Sequence, residues 1–152
     1  EIESLTSFFA PGEVDEIWLT FPDPQMKKQR KRLTSASFLD NYRKVLTDNG
    51  LVHLKTDSNF LFTYTSELLA ANKIPVNEAI TDIYSTTDSE RQGLLTSIRT
   101  YYESQWLQRG ITIKYIEFRL PHAAVITEID DSHIPHDEYR SYGRQRRSEL
   151  GI

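Results

Sequence analysis

The 152-residue chain has no cysteine, which excludes a disulfide framework and a thiolate metal site and agrees with a reducing compartment. It has no apolar stretch approaching the length of a membrane span. Its first residues lack the basic-then-apolar pattern of a signal segment, so a cytosolic protein without a membrane partner is expected. Glycine is sparse: the six glycines are scattered at expected turns and helix ends, and nowhere do they gather into a glycine-rich turn. Positive charge is in the minority, and a formal net charge of -4 argues against nonspecific binding to nucleic acid over the whole surface. What remains, 38% hydrophobic and 26% charged residues with no internal repeat or low-complexity linker, is the composition of one domain with a real core.

Apolar periodicity alternates between strands and helices along the chain. A strand over 15–21 is followed by a helix that Thr34 or Ser35 caps, with Phe38, Leu39, Tyr42, Val45 and Leu46 on one face and Gly50 ending it. A second strand spans 51–56, and Asp57 or Ser58 caps a helix buried through Leu61, Tyr64, Leu68 and Leu69. A third strand is expected over 76–84. Ile98, Tyr101, Tyr102, Gln105 and Trp106 mark a third helix that stops at Gly110, and a last strand runs over 111–120. Such alternation predicts an α/β domain over 1–125, with a mainly parallel sheet and helices on both faces, followed by a charged carboxyl-terminal tail over 126–152.

The most informative stretch is Phe21-Pro22-Asp23-Pro24, after the run Ile17-Trp18-Leu19-Thr20. Two prolines end a strand abruptly and push the preceding residue toward extended backbone, so Asp23 is expected to be held at a strand tip. Ligands of open α/β sheets bind beyond the carboxyl ends of the strands. Five of the six residues from Lys27 to Arg32 are cations. A carboxylate at a strand tip beside such a cluster suggests a small-ligand site next to a polyanion site, as in an enzyme acting on nucleic acid.

These residues carry a family resemblance. The run Phe21-Pro22-Asp23-Pro24 with Lys27, Lys28, Lys31, Arg32 and Leu33 resembles the signature loop of the tRNA (guanine-N7-)-methyltransferases, which use S-adenosylmethionine. Lys55-Thr56-Asp57, Thr100-Tyr101-Tyr102-Glu103 and Ile116-Glu117-Phe118 follow in matching order and spacing, over about residues 1 to 120. Gln25 stands where the family usually has tryptophan, and the basic loop is about two residues short and lacks a histidine. The resemblance implies a Rossmann-like S-adenosylmethionine-dependent methyltransferase fold acting on a tRNA variable-loop guanine, as a monomer or homodimer. It implies Asp23 as a catalytic and cofactor-contacting residue, Asp57 as a catalytic residue, and Lys27, Asp57, Thr100 and Glu103 as substrate contacts. Lys28, Arg30, Lys31 and Arg32 would meet phosphate. Because the early strand, glycine-rich turn and ribose-binding acid of such a fold are not found, the chain is expected to be the carboxyl-terminal two thirds of a longer enzyme.

Each feature also has a structural reading. A Pro-Asp-Pro run is usually only a turn and a basic hexamer usually a solvated loop, Asp57 taken alone is more commonly a helix N-cap, and Thr100 and Glu103 are as well read as an exposed helix face. Tyr101, Tyr102 and Trp106 are expected in the core. His133 and His136, among Asp130, Asp131, Asp137 and Glu138, are better read as a charged tail than as a metal site. Arg140, Arg144, Arg146 and Arg147 form a second basic patch that either touches RNA or keeps a tail soluble. The alternatives are a non-catalytic RNA-binding or interaction module, and a methyltransferase for another nucleobase or a protein side chain.

Overall fold

Four strands form one sheet in the computed structural model, which describes residues 2–85, 89–97 and 100–140. β1 (Val14–Thr20), β2 (Leu46–Thr56), β3 (Val76–Ile80) and β4 (Lys114–Leu120) stand in the order β1-β2-β4-β3. β1 and β2 are parallel, while β4 is antiparallel to both β2 and β3. Three strands therefore share a direction, but because the reversed β4 lies between β2 and β3 two of the three pairings are antiparallel and the sheet is mixed. Strand periodicity looks the same in either direction, so the reversal leaves no mark on the sequence.

Helix α1 (Ala36–Arg43) starts where the Ser35 hydroxyl accepts the Phe38 backbone N–H, and α2 (Asn59–Ala71) where Ser58 accepts that of Leu61. Their apolar faces, Phe38, Leu39 and Tyr42 on α1 and Phe60, Leu61, Tyr64, Leu68 and Leu69 on α2, share a core with Val52, Leu54, Ile116, Phe118 and Leu120. Alternation sends His53, Lys55 and Tyr115 to the opposite sheet face. There α3 (Ser89–Ser97) and α4 (Tyr101–Gln108) contribute Leu95, Trp106 and Leu107 to a second cluster on Ile113 and Tyr115. Helices thus cover both faces, and no described helix is long and apolar enough to cross a membrane.

Several elements differ from expectation. α1 ends at Arg43, and Val45 and Leu46, expected on it, lie buried where β2 begins. Gly50 sits inside β2, not at a helix end: the register jumps from Val14↔Leu46 to Glu16↔Leu51, with Asn49 left-handed at φ 57°. A Cβ on Gly50 would meet Leu46 Cδ2 and the Thr47 carbonyl at 2.9 Å, so the tight excursion needs glycine. β1 is a sheet edge with only Leu19 buried, and Trp18 is 42% exposed. Tyr101, expected in the core, is 75% exposed, and Ile98 lies outside the described residues.

The charged segment after residue 125 is laid along the domain as far as Arg140. Ile126, Ile129 and Ile134 pack on the main core, and Gln29 Nε2 donates to the Ile129 carbonyl at 2.7 Å. Thr127 N–H donates to Asn72 Oδ1 at 2.7 Å. Arg144, Arg146 and Arg147 lie outside the described residues.

Candidate active site

Because β1 and β2 are parallel, the Phe21–Pro24 turn and Asp57 leave the same end of the sheet, joined where Phe21 N–H donates to the Lys55 carbonyl at 2.8 Å. Reversal of β4 brings Lys114 to that end too, opposite Thr56. Asp23 is exposed there, its Oδ1 accepting the Gln25 N–H at 2.9 Å. The expected extended backbone before Pro22 is not found: Phe21 and Gln25 are left-handed, with φ of 49° and 45°. Such conformations are costly for bulky residues and persist only where surroundings impose them.

Arg32 imposes part of this geometry, and it corrects the expectation that this residue meets phosphate. Its guanidinium is 1% exposed and donates to the carbonyls of Pro24, Gln25 and Met26 at 3.2, 3.1 and 3.0 Å. It also pairs with Asp131 and stacks 4.7 and 4.5 Å from the ring centres of Phe60 and Tyr64. A cation so enclosed has no face left for RNA; it clamps the loop that bears Asp23. Lys27, Lys28, Arg30 and Lys31 are exposed around it.

Asp57 is 1% exposed and is not the cap of α2, a role taken by Ser58. Its carboxylate receives Arg140 Nη2 at 2.7 Å on both oxygens and the Tyr139 hydroxyl at 2.8 Å on Oδ2. Lys114 Nζ donates to the Asp57 backbone carbonyl at 3.3 Å. Burial lowers the Lys114 pKa, against the pull of the Asp57, Asp137 and Asp82 carboxylates. Burial raises that of Tyr139, and the Asp57 charge adds to it. Burial opposes the Arg140 charge, yet Asp57 and Tyr139 outweigh it and hold the guanidinium above its ordinary pKa. Asp137 anchors this segment: it accepts the Ser58 hydroxyl and, at 3.0 Å, the Phe60 N–H at the start of α2.

Thr100 and Glu103 form a capping box on α4, Thr100 Oγ1 accepting the Glu103 N–H at 3.2 Å and Glu103 Oε2 accepting the Thr100 N–H at 3.4 Å. The expected exposed face holds for Thr100 only. Glu103 is fully buried, with Lys55 Nζ 3.0 Å from Oε1 and the Tyr84 hydroxyl donating to the same oxygen at 2.5 Å. One turn along α4, Trp106 packs edge-on to Tyr139 at 5.3 Å and lies 5.6 Å below the Arg140 guanidinium. α4 therefore ties the Glu103 cluster to the Asp57 cluster. Lys55 was legible only as part of a motif. Tyr84, Lys114, Tyr139 and the place of Arg140 were not foreseen, because no local pattern points to partners so distant in sequence. Among the described residues no group of histidine and carboxylate side chains could hold a metal; His133 instead faces Glu67 at 2.7 Å.

A mixed sheet with parallel β1 and β2 and helices on both faces defines an α/β domain. The chain belongs to the family described as "Putative methyltransferase", whose pattern matches residues 1–116, and has its Rossmann-like fold. It is 55% identical over 149 residues to the tRNA (guanine-N(7)-)-methyltransferase of Bacteroides thetaiotaomicron, covering 98% of this chain and 58% of that protein. It is 54% identical to the protein of that name from Porphyromonas gingivalis, covering 98% of this chain and 60% of the relative. A more distant one, from Streptococcus suis, is 34% identical over 116 residues, covering 75% and 52%. The chain thus spans little more than half the length of these relatives.

Proposed function

We propose that this chain carries the methyl-acceptor side of a cytoplasmic enzyme that methylates N7 of a guanine in the variable loop of tRNA, using S-adenosylmethionine. Family membership and the names of the relatives support the reading. The observation that carries it is the meeting of Asp23, Asp57 and the α4 cluster at one end of the sheet, beside four exposed cations, Lys27, Lys28, Arg30 and Lys31.

S-adenosylmethionine supplies, when bound, an electrophilic methyl on a sulfonium. An exposed carboxylate at the tip of β1 fits beside a cation, so Asp23 is the residue that would hold that side of the cofactor. No glycine-rich turn accompanies it in this chain. Guanine N7 has a lone pair and no proton, so the reaction needs in-line positioning and no general base at that atom. As N7 is alkylated the purine becomes cationic and its N1 and N2 protons become better donors. A buried carboxylate accepting them both orients the base and stabilises the developing charge. Asp57 takes this role, with Glu103 holding Lys55 and the first turn of α4 so that Thr100 is presented at the helix start. Lys27 is assigned a contact to the substrate and Lys28, Arg30 and Lys31 contacts to phosphate, which give affinity without sequence choice.

The test is single-turnover methyl transfer to tRNA by the full-length enzyme. Asp57→Asn is expected to cost about 2 to 4 kcal/mol of transition-state stabilisation with cofactor affinity nearly unchanged. Near-normal transfer by this variant overturns the assignment.

A further inference from the structure

The carboxylate proposed to receive the guanine is already filled. Arg140 Nη2 lies 2.7 Å from each oxygen of Asp57, and the Tyr139 hydroxyl lies 2.8 Å from Oδ2. The Asp57 side chain is wholly buried beneath them, while that of Arg140 remains 20% exposed. The two ligands share a planar N–H donor geometry, on a cation in one case and on a neutral base in the other. In guanine, N1, C2 and the exocyclic N2 form a planar guanidine unit whose N–H donors point along one edge. The arginine side chain ends in that unit.

We propose that Arg140 is a place-holder in the guanine site: its Nη2 spans both Asp57 oxygens where the base edge would bring its own N–H donors, and the base enters by exchanging with it while the Tyr139 hydroxyl stays on Oδ2. The inference rests on the reading of Asp57 as the guanine acceptor. A buried carboxylate left without partners is costly, and Arg140 pairs with it and keeps it aimed until RNA arrives. The segment is held upstream of Arg140. Asp137 is fixed to α2 through Ser58 and the Phe60 N–H, and Ile134 is 4% exposed in the core, so residues up to 137 are anchored. Arg140 stands three residues beyond that anchor, its Nε 3.8 Å from Asp137 Oδ2, and rests 5.6 Å over the Trp106 ring, a contact that a planar base can also make. Arg109 lies 5.1 Å from the same ring, so cationic charge remains in the pocket when Arg140 leaves. Apparent affinity for RNA is then reduced by the fraction of molecules in which Asp57 is open.

The experiment measures KM for tRNA in the full-length enzyme carrying Arg140→Ala, with millimolar guanidinium chloride as the probe. KM is expected to fall about tenfold, the factor by which an open state populated about one time in ten weakens binding. Guanidinium is expected to refill the vacated position and raise KM competitively with tRNA in the variant, with no such effect on the parent enzyme. A rise in KM for Arg140→Ala makes Arg140 an RNA contact and overturns the proposal. Restoration of activity by guanidinium, in place of competition, makes it a structural prop and also overturns it. Arg140→Lys, which keeps the charge without the planar unit, serves if the alanine variant does not fold, with the same fall in KM expected and an unchanged or higher KM counting against the proposal. Asp57→Asn separates the two levels. If it transfers methyl normally, the guanine-acceptor reading fails; if it is impaired while Arg140→Ala and guanidinium leave KM unmoved, only the place-holder fails.

Discussion

Lys55 and Glu103, 48 residues apart, form an ion pair with Nζ 3.0 and 3.1 Å from the two carboxylate oxygens, and their side chains are 7% and 0% exposed. The lysine also donates to the Leu95 carbonyl at 2.8 Å, so the end of β2, α3 and α4 converge on one ammonium group. Breaking a buried pair from one side leaves a charge without compensation, and the loss exceeds what the pair itself contributes.

Glu103→Leu is therefore expected to destabilise the fold by about 3 to 5 kcal/mol. The double variant Lys55→Met/Glu103→Leu should be more stable than Glu103→Leu alone. Urea unfolding of the four proteins in the cycle checks this; simple additivity of the two single losses would contradict it.

The basic loop divides into a structural cation and surface cations. Arg32→Ala removes bonds to three carbonyls and the Asp131 pair, and is expected to cost about 3 to 5 kcal/mol of stability, as for other buried charge networks. Alanine at Lys28, Arg30 or Lys31 should change stability by no more than about 0.5 kcal/mol. Each of these three that meets phosphate should lower the slope of log tRNA affinity against log salt by about 0.7 to 0.9. Filter binding at several salt concentrations, beside thermal melts, separates the two behaviours.

Alkaline pH should unfold the protein through its tyrosines. Burial raises the pKa of Tyr42, Tyr64 and Tyr139 above the ordinary value of 10.0, aided at Tyr64 by Glu128 and at Tyr139 by Asp57. In the folded chain these phenols keep protons that the unfolded chain releases above pH 10. The unfolded state thus binds fewer protons there, and stability, fully present below pH 10, falls as pH climbs beyond it. Urea midpoints between pH 8 and 11 test this, and Tyr64→Phe should flatten the decline.

Residues 1 to 152 made alone are expected to bind S-adenosylmethionine too weakly for calorimetry. Asp23 offers one side of such a site, and the chain has no glycine-rich turn for the rest. With β1 as a sheet edge and Trp18 42% exposed, self-association is expected as well, visible by light scattering. Tight stoichiometric binding by a monomer would show a complete cofactor site in this stretch.

What the sequence by itself determined is local. Ser35 and Ser58 begin helices because a hydroxyl one turn from an orphan N–H needs no distant partner, and Phe21-Pro22-Asp23-Pro24 ends β1 because proline cannot continue a ladder. Parallel β1 and β2 with an intervening helix put Asp23 and Asp57 at one end of the sheet, as alternation implied. The tertiary structure decided the rest. Arg32 and Lys31 are neighbours of equal charge, yet one is buried and the other exposed, since only the fold brings Asp131, Phe60 and Tyr64 around the first. Arg140 reads in sequence as one more cation of a tail, and becomes the partner of Asp57 across 83 residues. Helix caps and strand stops are set by neighbours within a turn. The partner of a charge is set by which surfaces the hydrophobic core presses together, and that is known only once the whole chain is folded.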